Sequence, residues 1–210
     1  MGICIKHNYA PIYYVIAIES FVKAQEAYIK LEHEEKENPD EKIYHLVDDI
    51  RKYAISAICF SVMALESGVN TMANISMGAS FAKSIDKLDI VSKWIVIAQT
   101  ALGIKLDRGS APIQKMQAAV SARNKLVHNK ITIVPDPVDD SILIPDENMR
   151  TQYIEPAYNA ICAIRDCDYW LQNHWTHYHF TIGTERIIFP EAKFQKIENT
   201  WKFLGPTELY

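Results

Sequence analysis

The chain has 210 residues and a formal net charge of −4, with 49% hydrophobic and 23% charged residues. That balance describes a globular chain able to bury a sizeable core, at a length suited to one domain. It excludes capture of polyanions by bulk attraction. The charge is uneven, however. Glu32 to Asp49 holds eight acids against Lys36 and Lys42, whereas Arg108 to Lys130 holds Arg108, Lys115, Arg123, Lys125 and Lys130 and no acid. A phosphate-bearing partner is therefore expected at the second segment.

Residues 12–37 contain no Gly or Pro and predict a long first helix, which Pro39 ends and Asp40 follows as a cap. A second helix is predicted over about 41–73, where Ile50, Tyr53, Ala57, Phe60, Ala64 and Leu65 recur close to a 3.6-residue period. "SMGAS" reads as a loop. Residues 84–102 predict a third helix, bent near Asp89 and ended by Gly103. Ser110 as cap and Pro112 in the first turn open a fourth helix running to about Asn129. Residues 131–148 carry two short β-prone runs around a Pro-rich acidic turn and read as a small hairpin or ordered loop. A fifth helix is predicted from Glu155 to about His174, followed by an irregular tail with a short strand at "RIIF". The expected fold is all-α, an antiparallel bundle of four or five helices over residues 1–180, with residues 181–210 packed on it as an extension.

Cys4, Cys59, Cys162 and Cys167 lack pair spacing, which suggests a reducing compartment, and Cys59 and Cys162, in apolar helical runs, are expected as small core residues. The start lacks the order of a signal peptide, and apolar runs such as 53–65 are too short to span a bilayer. The expectation is a cytoplasmic protein with no membrane partner.

The fourth helix carries "SARNKLVHNK" at 121–130. At about 100° per residue, Met116, Val120, Val127 and Ile131 fall within about 60° of Ile113 and define an apolar stripe. Asn124 lies about 20° from Ile113, His128 about 60° to one side and Arg123 about 80° to the other. An amide thus sits in an apolar stripe, flanked by an imidazole and a guanidinium. Guanidinium forks grip phosphate, and imidazole moves protons near neutral pH. A helix C-terminus also favours Lys, Arg and His for dipole reasons, so the same residues suit a solvated helix end.

"RNKLVH" (123–128), an Arg followed by a polar residue and then, after three more, by His at the end of a late helix, resembles the Arg-x4-His motif of the HEPN superfamily. "ALESGVN" (64–70) is similar to that family's second-helix signature, and "SIDKLDIV…TALG" (84–103) to the stretch that precedes its motif helix. The resemblance covers roughly residues 10–176. It implies a helical bundle that pairs with a second copy so that two motifs face one cleft, and metal-independent endoribonuclease activity in toxin–antitoxin, phage-defence or RNA-processing settings. Residue by residue, it implies catalytic roles for Arg123 and His128 and supporting polar roles for Asn124 and Glu66. Lys125, Lys130 and Lys115 are candidates for binding the flanking phosphates. RNA supplies its own 2′-OH as nucleophile, so no cofactor is expected. His128 would move the proton and Arg123 would stabilise the charge on the phosphorane, leaving a 2′,3′-cyclic phosphate and a 5′-hydroxyl. The expected partners are RNA, a second copy, and a cognate antitoxin or regulatory protein. Lys130 stands where some toxin members carry a Tyr that their antitoxin modifies, so that form of control is not expected. Many members are inactive binding modules, which leaves a catalytically silent module for RNA, a nucleotide or a protein as the alternative.

One further cluster, His174, His177 and His179 in "NHWTHYHF", has partial metal-ligand spacing but no cysteine partner and no HExxH pattern. Packing of an aromatic-rich helix end on the tail is the expected reading, with a metal site as the lesser alternative. Trp94 and Trp170 are expected in the core.

Overall fold

The computed structural model describes residues 9–34, 42–128, 149–174, 192–197 and 200–206. The element order is α1 (Ala10–Glu34), α2 (Lys42–Met77), α3 (Ala79–Ser84), α4 (Ile90–Leu102), α5 (Ala111–Val127), a π-helical turn (Arg150–Ile154), α6 (Glu155–His174), β1 (Ala192–Ile197) and β2 (Thr200–Pro206). The all-α bundle expected from the helical periodicities is present. The hairpin or loop expected at 131–148 and the strand at "RIIF" lie outside the described residues. Strands β1 and β2 form a two-stranded antiparallel sheet pairing Phe194 with Phe203 and Ile197 with Thr200, with β2 beside α1. The tail is therefore not irregular throughout.

Helix α2 is the centre. It packs along α1 and also meets α3, α4, α5 and α6. Ile50, Ala54, Ala57, Ile58, Leu65, Val69 and Met72 are all buried in the shared core, at roughly 1.5–3 kcal/mol for each large side chain removed from water. Tyr13 on α1 stacks at 6.0 Å on Phe60 of α2, and Phe21 meets Tyr158 of α6 at 5.9 Å. Trp94 of α4 is 1% exposed and donates its indole N–H to the Leu65 carbonyl at 3.2 Å. One expectation needs correcting: between Tyr44 and Met77 the helix is long and apolar enough, at a mean hydropathy of 1.3, to cross a membrane by length and composition. The apolar run 53–65 continues helically on both sides, and few charges interrupt it. Half of that window is buried inside the bundle, as befits a central core helix.

The helix expected over 84–102 begins only at Ile90, as α4, and the short α3 precedes it. Gly78, at φ 83°, separates α2 from α3, so the supposed loop at "SMGAS" already contains the start of α3. Residues 85–88 then turn, and Asp89 restarts the chain as N-cap of α4, accepting from Ser92 N at 2.9 Å and from Ser92 Oγ at 2.5 Å. Gly103, at φ 66°, ends α4 in the left-handed region as expected. Lys93 clamps this corner. It is 2% exposed and donates to Asn70 Oδ1 of α2 at 3.1 Å, with Asp86 at 3.5 Å. Ser110 holds the N-cap position of α5, yet its hydroxyl donates backward to the Asp107 carbonyl instead of accepting from the helix.

The hydrogen bonds from Ser92 hold the Asp89 carboxyl below the usual carboxylate range. A carboxyl depressed in the folded state stabilises fully above its unfolded pKa of about 3.9 and loses that contribution as pH falls through the lower folded value. Asp89→Ala is expected to cost about 1 kcal/mol at neutral pH. Urea unfolding of the two proteins at neutral pH and near pH 3 checks this, because the difference must shrink on acidification.

Candidate functional site

Helix α5 sets the geometry. Its buried positions are Ile113, Met116 and Ala119, whereas Val120 is half-buried and Val127 is 59% exposed. The buried face is thus centred about 60° from Ile113 on the Arg123 side. The stripe expected from the large apolar residues is rotated, because Ala119 and Ala122 face the neighbouring helices and let α5 approach α2 and α6 closely.

This rotation separates the motif residues. Arg123 lies within about 20° of the centre of the buried face, and Asn124 and His128 lie roughly 80° and 120° from it. Arg123 is half-buried, its Nε is covered and meets no hydrogen-bond partner among the described residues, and its charge acts on the Cys59 thiol of α2. Burial pushes that thiol up and the guanidinium pulls it partly back. Asn124 and His128 are exposed. His128 is the C-cap residue, its backbone N–H donating to the Asn124 carbonyl at 2.9 Å.

Asn124 and His128 line a groove of about 580 Å³ together with Lys125, Arg108 and the apolar floor of Val91 and Val120. Arg108 was not singled out by the motif. It stands in the turn after α4, where Gly109 N donates to Asp107 Oδ1 at 3.1 Å and Ser110 N to the Asp107 carbonyl at 3.0 Å. Its guanidinium donates to Ser92 Oγ at 3.1 Å, and that hydroxyl is held in turn by Asp89. The α4 cap therefore positions a guanidinium at the groove, the place the sequence pattern reserves for Arg123. The sequence signal for Arg108 is the acid-free basic run alone. Asp89 also borders the groove, but both of its carboxylate oxygens are engaged by Ser92.

The remaining candidates disperse. Lys115 points to the opposite side of α5 and pairs with Asp166 of α6, which also accepts from Arg165. Glu66 is half-buried on α2 and does not border this groove. Lys130, His177 and His179 lie outside the described residues, and His174 is the last residue of α6. Among the described residues no group of three or more His, Cys, Asp or Glu side chains is placed to hold a metal ion. Cys162 and Cys167 are buried thiols with pKa values raised by desolvation, and Cys59 is half-buried. No family model, curated protein or solved structure matches the chain.

An unpartnered buried nitrogen costs about 1–3 kcal/mol. Arg123→Met keeps the apolar stem and removes that cost, so it is expected to raise stability by about 1 kcal/mol in urea unfolding. Loss of the guanidinium also lets the Cys59 thiol rise further. Alkylation of Cys59 at mildly alkaline pH, read by mass spectrometry of the Cys59 peptide, should slow in Arg123→Met.

Proposed function

We propose that the chain is a HEPN-type, metal-independent endoribonuclease that handles RNA at the C-terminal end of α5 and acts as a homodimer. The observation that carries this reading is the groove at that helix end, where Arg108, Lys125, His128 and Asn124 gather around an apolar floor. Arg108 and Lys125 supply charge for phosphate oxygens, and Asn124 can hold a ribose hydroxyl or orient the imidazole. His128 serves as the proton carrier between the 2′-OH and the leaving 5′-oxygen. Arg123 stabilises the pentavalent phosphorus. Within one copy His128 and Arg123 diverge by about 140° around α5, so the reading requires a second copy to complete the site across a two-fold axis. A cytoplasmic setting in defence or stress response, with a cognate antitoxin or regulatory protein restraining the activity, fits a nuclease that needs no metal.

A second reading is favoured by the covered Arg123 Nε. If that guanidinium stays against α2, the chain is a silent module of the same family that binds RNA through the α5 groove. Cleavage of a mixed-sequence RNA in EDTA separates the two. The nuclease reading expects EDTA-resistant cleavage, reduced at least about 100-fold in both His128→Ala and Arg123→Ala and more modestly in Arg108→Ala. Binding that Arg108→Ala weakens, with no cleavage by the wild type, selects the silent module.

A further inference from the structure

A second groove, of about 510 Å³, lies between α5 and the beginning of α6. It shares Ser121 and Lys125 with the first, so these two residues form the ridge between them. Its floor is apolar and low. Ile58 of α2 is buried beneath it, and Ala118, Ala119 and Ala122 leave space where longer side chains would meet α6.

The far wall owes its shape to Pro156. Proline has no N–H to offer the Gln152 carbonyl four residues back, and its ring crowds that carbonyl. The chain passes this point through the π-helical turn 150–154, closed by the Glu155 N–H on the Arg150 carbonyl. Such turns recur at functional sites because the extra residue per turn displaces side chains from the regular helical faces. Here Thr151 and Gln152 come to the rim of the groove, beside Asn159 of α6. Gln152 and Asn159 are exposed, and each amide offers a donor and an acceptor side by side. Lys125 is the one charged side chain bordering the groove among the described residues, and it stands on the side of the phosphate groove.

We infer that the α5–α6 groove seats a nucleobase of single-stranded RNA whose adjoining phosphate lies against Lys125. The inference rests on the RNA reading of the first groove and adds to it how the strand is oriented. An apolar floor of alanines and Ile58 suits the face of an uncharged ring, and two amides suit its hydrogen-bonding edge, as amide side chains pair with base edges elsewhere. The volume falls within the usual range for small-ligand sites, with room for a base and its ribose. A strand laid across the Ser121–Lys125 ridge places base and phosphate in neighbouring depressions at once.

The test compares two uncleavable 2′-O-methyl oligonucleotides of equal length, one carrying bases and one abasic, by fluorescence anisotropy with the full chain. The base-bearing oligonucleotide is expected to bind about tenfold tighter or more. The double variant Gln152→Ala with Asn159→Ala removes most of that advantage and leaves abasic binding unchanged. Both positions are exposed, so folding is spared, and circular dichroism verifies it. Equal binding of the two oligonucleotides overturns the base subsite while leaving the phosphate groove intact. So does a base advantage that the double variant does not reduce. Failure of the chain to bind either oligonucleotide overturns the RNA reading itself, and the subsite with it.

Discussion

The close approach of α5 to α2 and α6 sets the orientation of every side chain at the candidate site. Ala119 and Ala122 permit it, and Ile113 and Met116 are buried in the core beside them. Once the helix is seated on these small residues, Arg123 has nowhere to go but toward α2, and Asn124, Lys125 and His128 fall on the outward side. The same seating leaves Val120 half-buried, as the floor of one groove, and Ala118 and Ala122 as the floor of the other. Both depressions are consequences of one helix packed by its small face.

That packing leaves a polar atom covered without a partner, which folding physics alone disfavours. The charge-neutral alternatives, a Met or Leu at Arg123, fill the same space without covering an unpartnered N–H. Among the described residues the Ser61 and Ser76 hydroxyls are likewise covered without a partner, whereas Lys93 is satisfied by Asn70 and Trp94 by the Leu65 carbonyl. Those contacts fix the corner where α4 begins, and the Asp89–Ser92–Arg108 relay extends from that corner to the rim of the groove.

The helices were legible in the sequence because their signals are local. Gly103 as a left-handed stop, Pro112 in a first turn, Asp89 at a bend and the apolar period of α2 each act within a few residues. The orientation of α5 was not legible in the same way. A stripe drawn through Ile113, Val120 and Val127 weighs large side chains, whereas the contact is made by alanines that carry little hydrophobic weight. Val127 stands at a helix end where no neighbouring helix among the described residues covers it. The arginine of the groove was missed for a related reason. Arg108 lies in a turn, and its position is set by a hydroxyl on α4 sixteen residues away in sequence, a relation no periodicity carries. The pairing of Lys115 was not legible either, because a basic residue in a basic segment gives no hint of Asp166, which lies on another helix.

The central claim is that RNA is both the ligand and the source of the nucleophile, with the protein moving protons and charge at the end of α5. The ends left on cut RNA report this chemistry directly. Mass spectrometry of fragments produced by the purified full chain in EDTA should find 2′,3′-cyclic phosphates and 5′-hydroxyls. Fragments ending in 3′-hydroxyls and 5′-phosphates, or intact RNA, would contradict the account.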